Sequence, residues 1–174
     1  MFDANCIIIG ERPYGENNNY KALEIENYPT GIVAFFPEIL DENYNLYELD
    51  TYRRIQGFLH SKPLSNLEIN NLDSPKKLVE NYLKKKIYFI NQDKITVKES
   101  KILYGDKAIF SINNTKIICF GNYAIDKFKN FSNTVECPHP SSQVSHKFWD
   151  KYDEKYRNDY DFDFDFQTFY NTLK

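Results

Sequence analysis

Short apolar runs, each stopped abruptly by a small or polar residue, recur along the chain. Cys6-Ile7-Ile8-Ile9 stops at Gly10, Ile87-Tyr88-Phe89-Ile90 at Asn91, Lys116-Ile117-Ile118-Cys119-Phe120 at Gly121, and Thr134-Val135-Glu136-Cys137 at Pro138. The first three lack polar alternation, which predicts strands buried on both faces of a parallel sheet; the fourth predicts a shorter strand beside them. Between the first two runs the period changes. Ser74 fits an N-cap, Pro75 a first turn, and Leu78, Val79, Tyr82 and Leu83 a buried stripe that Lys84, Lys85 and Lys86 close. A helix between two buried strands is a crossover unit. The same reading predicts a helix over 122–130, with Ala124, Ile125 and Phe128 inward. Another is predicted from His146 to Tyr156, with Phe148, Trp149, Tyr152 and Tyr156 near one face.

Other stretches carry weaker patterns. Glu16 to Tyr28 is polar and reads as a loop or short helix. Gly31 to Pro37 is either a short strand or a buried loop. Glu38 to Leu59 suggests an interrupted helix, and 61–65 a loop. Ile95 to Tyr104 and Ala108 to Ile112 remain open, with Asn113-Asn114 a turn candidate and a lysine-rich insertion the alternative. The segment Asp159-Tyr160-Asp161-Phe162-Asp163-Phe164-Asp165-Phe166 alternates strictly. Period two predicts a strand, or else an extended arm laying aromatics on a partner or on its own core, followed by a short helix from Gln167 to Leu173. The fold class that results is α/β, three layers around a central, mainly parallel four-stranded sheet. A single domain covers 1–174, with 157–174 an aromatic and acidic tail.

Composition narrows this picture. At 174 residues, 41% hydrophobic and 27% charged, the chain can bury a core without staples. The longest apolar runs fall far short of the roughly 20 residues of a membrane span, so no membrane partner is expected. Met1-Phe2-Asp3-Ala4-Asn5 lacks the basic start of a signal peptide. Cys6, Cys119 and Cys137 are widely spaced and odd in number, which predicts reduced structural thiols in a cytoplasmic protein rather than disulfides or a metal site. Net charge is −3, unevenly spread: residues 1–60 carry a net −6 and residues 61–130 a net +6. The lysine-rich middle suits a phosphate backbone or a solvated helix face.

The four strand ends fall on one sheet edge, where open α/β folds bind ligands. They present Glu11-Arg12-Pro13-Tyr14, Asn91, Gly121 and His139-Pro140-Ser141. In this order the motifs resemble those of the uracil-DNA glycosylase superfamily. Gly10-Glu11-Arg12-Pro13-Tyr14 is similar to its first motif, and His139-Pro140-Ser141-Ser142-Gln143-Val144-Ser145 to its His-Pro-Ser motif and following loop. Ile87 to Asn91 resembles the strand ending in a base-reading Asn, and Cys119-Phe120-Gly121-Asn122-Tyr123-Ala124 the intervening turn.

The resemblance implies a monomeric DNA glycosylase, without metal or cofactor, that hydrolyses the bond between uracil, or a related or modified base, and its sugar in single- or double-stranded DNA. Such an enzyme serves repair or acts on foreign DNA, wherever that DNA is kept. Cleavage builds positive charge on the sugar and negative charge on the base. By resemblance His139 donates to a base oxygen and Glu11 is the carboxylate on the sugar side. Asn91 reads the base edge, Phe35 or Phe36 stacks on it, and Tyr14 crowds its C5 position. Ser141, Ser142, Gln143, Arg12 and Lys147 face DNA.

Two positions depart from the family pattern. Arg12 stands where the Pro-Tyr branch carries a water-positioning Asp, and Gln143 where an apolar wedge is usual. The departures fit a modified base or lost catalysis. An inactive member binding DNA or a protein through the same edge is therefore an alternative, with 159–166 a possible protein-docking segment. An enzyme of free nucleosides or nucleotides is a third reading. The glycosylase reading requires Glu11 and His139 to meet across a base-sized cavity.

Overall fold

A computed structural model describes residues 1–141, 147–153 and 163–173. β1 (Cys6–Gly10) is followed by two strands, β2 (Tyr20–Glu24) and β3 (Ile32–Ile39), and three helices, α1 (Asp50–Leu59), α2 (Asn66–Asn70) and α3 (Pro75–Lys84). After β4 (Ile87–Asn91) come β5 (Ile95–Lys98), β6 (Lys101–Tyr104) and β7 (Lys107–Ser111). The chain continues through β8 (Lys116–Phe120), α4 (Asn122–Phe128), β9 (Thr134–Cys137), α5 (Lys147–Asp150) and α6 (Phe166–Thr172).

The central sheet has the order β4-β1-β8-β9, and all its pairings are parallel. Every residue of β1 is buried, as its unbroken apolar run predicts for an inner strand. Ile8 lies in register with Phe89 on one side and Ile118 on the other. Helices flank the sheet: α3 packs on β4, and α4 on β8 and β9. The four expected strands are therefore the sheet, and their carboxyl ends share one edge.

Elsewhere the pattern was thinner and the structure supplies the answer. The segment from Tyr20 to Glu24, expected as loop or helix, is a strand paired antiparallel with β3 and bulged between Ala22 and Glu24. The Ile95–Ser111 region is an antiparallel meander of β5, β6 and β7. It is anchored through Ile102, Ile109 and Phe110, all nearly fully buried. Of the helix predicted over 146–156, α5 covers only Lys147–Asp150 and a turn follows; 154–156 and His146 lie outside the described residues. So do residues 159–162 of the alternating segment. Its described end lies on the protein's own core, where Phe166 packs against Phe58 and Tyr82, and Phe164 stacks on Phe58 at 6.3 Å. Among the described residues, no helix is long and apolar enough to cross a membrane.

Candidate functional site

Three strand ends build the site. β1 stops at Gly10 and releases Glu11. β9 stops at Cys137 and releases Pro138-His139-Pro140-Ser141. Between them β8 turns into α4 through Gly121, whose N–H donates to the Cys137 carbonyl at 2.9 Å. Gly121 has φ +91° and ψ 157°, a backbone conformation reserved almost entirely for glycine. A Cβ there would lie 2.7 Å from Glu11 Oε1 and 3.0 Å from His139 Cδ2. The carboxylate and imidazole thus meet over a bare α-carbon, with Glu11 Oε2 and His139 Nε2 3.5 Å apart.

The pair opens into a cleft of about 340 Å³. Its lining joins Arg12, Pro13, Tyr14 and Gly15 of the loop after β1 with Phe35, Thr51, His139 and Ser141. Phe35 holds φ +66°, a costly conformation for an aromatic residue. Its ring is seated against Gly10, and a Cβ at Gly10 would come within 2.7 Å of Phe35 Cζ. Phe120 meets the ring edge-on at 5.4 Å. The Tyr14 hydroxyl donates to the Phe35 carbonyl at 3.1 Å, fixing one lining residue to another. Burial, with the neighbouring Tyr52, Tyr20 and Tyr44 hydroxyls, holds the Tyr14 phenol well above its ordinary range, so it stays protonated and can donate.

His139 is half-buried. Burial lowers its pKa below the ordinary 6.5, and the charge of Glu11 opposes the shift in part. The ring is therefore neutral through most of the physiological range. The Ser141 N–H donates to Nδ1 at 3.1 Å, which leaves Nε2 as the protonated nitrogen of the neutral ring. Nε2 is also the nitrogen that faces Glu11. Geometrically the site offers a neutral N–H donor and a carboxylate side by side, with Phe35 and the Arg12 guanidinium in the same cleft lining.

Not every candidate joins this group. Of Phe35 and Phe36, only Phe35 lines the cleft. Phe36 is fully buried among Phe89, Tyr52 and Tyr82, so its ring is a core element and is corrected from the stacking role. Asn91 ends β4 and is only 6% exposed, but it lines a separate cavity of about 10 Å³ with Thr30, Ile32 and Tyr104. Pro13 lines both spaces and stands between them. Asn91 Oδ1 is buried and accepts no hydrogen bond from the described residues. Lys147 is exposed at the start of α5 and does not line the cleft. Ser142 and Gln143 lie outside the described residues.

The sequence reading missed Thr51 in the cleft, and behind it Arg54, Trp149 and Asp153. Arg53 and Arg54 are 0% and 4% exposed, and every residue of α1 from Tyr52 to Leu59 is buried. The sequence offered no local signal for them, because α1 reads as an ordinary amphipathic helix and its polar side, which carries Arg53 and Arg54, is buried by the rest of the fold. Among the described residues, no group of three or more His, Cys, Asp or Glu side chains could hold a metal ion. No family model, no curated protein and no solved structure matches the chain.

Proposed function

We propose that this chain is a DNA glycosylase of the uracil-DNA glycosylase superfamily, with that superfamily's three-layer fold, which hydrolyses the bond between uracil or a modified base and its deoxyribose. The observation that carries the reading is the meeting of Glu11 and His139 over Gly121 at a cleft lined by Phe35. An extruded base enters against Phe35, and the cost of unstacking it from DNA is offset by that contact. His139 donates its Nε2 proton as a hydrogen bond to the base oxygen, where negative charge grows as the C1′–N bond breaks. The electron pair of that bond leaves with the base. Glu11 offsets the positive charge on the sugar and takes a proton from the water that adds to C1′. Tyr14 narrows the cleft beside the base, and Arg12 and Ser141 meet the phosphate backbone.

The test is base release from single- and double-stranded oligonucleotides carrying uracil or one of a panel of modified bases, read as strand scission at the abasic site. Glu11→Gln and His139→Ala are each expected to slow release by about 10²–10⁴-fold. No release from any oligonucleotide, or full activity in both variants, overturns the proposal. Arg12 favours a second reading, because a guanidinium in the cleft opposes a developing sugar cation. In that reading the same edge binds DNA without cleaving it, and salt-sensitive binding without base release identifies it.

A further inference from the structure

We propose that Arg54 is a positioning residue for His139. From α1 it clamps the loop carrying the imidazole and, through Ser141, sets which ring nitrogen holds the proton. The use made of that proton rests on the glycosylase reading; the clamp itself does not.

Two adjacent arginines on α1 are buried, and carboxylates sustain them there. Asp153, itself fully buried, accepts from Arg53 Nε at 2.9 Å and Nη2 at 3.2 Å, and from Arg54 Nε at 3.1 Å. Arg53 also pairs with Asp50 and donates to the Tyr47 carbonyl, so it serves the start of its own helix. Arg54 faces the other way. Its Nη1 donates to the Ser141 carbonyl at 2.7 Å and lies 3.5 Å from the Pro140 carbonyl. Trp149 Nε1 donates to the His139 carbonyl at 2.9 Å, and the Arg54 guanidinium sits 5.8 Å from the Trp149 ring centre. Buried donors therefore face three successive carbonyls, those of His139, Pro140 and Ser141.

This clamp has a chemical consequence at the ring. Ser141 is held at its carbonyl by Arg54, while its N–H points at His139 Nδ1 at 3.1 Å. With Nδ1 accepting, the neutral ring keeps its proton on Nε2, toward Glu11 and the cleft. Without Arg54 the Ser141 amide loses its outer anchor and the ring loses the bias between its two neutral forms. A lysine cannot replace it. Only the planar fork lets Nε stay on Asp153 while Nη1 reaches the loop.

The experiment is nitrogen NMR on full-length protein with labelled histidines, His139 being assigned by its loss in a His139→Gln variant. In the unsubstituted protein the neutral His139 ring is expected to show a bare Nδ1 and a protonated Nε2. Arg54→Lys and Arg54→Met should mix the two neutral forms, and in a base-release assay lower kcat about 10- to 100-fold with KM within about twofold. Arg53→Lys, a lesion in the same buried cluster, should leave the His139 spectrum unchanged. If neither Arg54 variant folds, Ser141→Pro, which removes the N–H that faces Nδ1 along with the hydroxyl, should give the same mixed spectrum, and Ser141→Ala, which removes the hydroxyl alone, should not. A folded Arg54 variant with an unaltered His139 ring overturns the proposal, as does an Nδ1-protonated ring in the unsubstituted protein. A protein that releases no base overturns the glycosylase reading alone, because the nitrogen spectrum still judges the clamp.

Discussion

At the scale of single residues, the site depends on two glycines that give way to side chains from elsewhere. Gly121→Ala places a methyl group against both Glu11 and His139 in a conformation only glycine adopts easily. The expected cost is about 1–3 kcal/mol in denaturant unfolding, together with loss of activity as the pair is pushed apart. Gly10→Ala acts on the cleft instead, because the new Cβ meets the tip of the Phe35 ring. His139 makes a separate prediction. Its pKa is lowered by burial from the ordinary 6.5, so just below that value the unfolded chain binds more protons than the folded one. Stability should therefore rise with pH across this window, and be lost as pH falls from about 6.5 through the folded value. Urea unfolding across that range should show this limb in the native protein and lose it in His139→Gln.

At the scale of elements, the sheet was legible because three of its strands are nearly uninterrupted apolar runs and all four have clean stops. α3 was legible because Ser74, which accepts from the Lys77 N–H, and Pro75 mark its start. β2 was not. Tyr20 to Glu24 has one fully buried side chain, Leu23, and a bulge breaks its alternation. The meander was obscured in the same way, since its exposed lysines dilute a period-two pattern only four or five residues long. Glu11, Arg12, Tyr14, His139 and Ser141 were legible as strand-end residues, whereas Arg54 and Asp153 were not. Their pairing spans 99 positions, and no local period encodes it. Tyr28 carries a prediction at this scale. From the polar segment before β3, its hydroxyl donates to the Phe89 carbonyl at 2.8 Å and accepts from the Phe89 N–H at 2.7 Å. It thereby satisfies both backbone groups of one residue on the outer edge of β4. Tyr28→Phe should cost about 1–3 kcal/mol, read as a lowered urea midpoint with an unchanged slope.

At the scale of the whole molecule, charge is divided between an acidic first third and a lysine-rich middle. In the glycosylase reading Arg12 and Ser141 meet the phosphates at the cleft, and the lysine-rich middle adds a long-range attraction for DNA. Binding to an oligonucleotide should weaken steeply as salt is raised, whereas release of a bound base should change little. The closing segment adds a dependence that its position in the sequence hides. Phe166 lies between Phe58 of α1 and Tyr82 of α3, Gln167 Nε2 donates to the last carbonyl of α1, and Lys85 Nζ to the Leu173 carbonyl. α1 in turn carries Thr51 and Arg54. A stop codon placed just ahead of Phe166 would leave every cleft-lining side chain encoded, yet unseat the helix behind them. Truncations and fusions that treat the final codons as dispensable would yield a damaged protein whose silence says nothing about its chemistry.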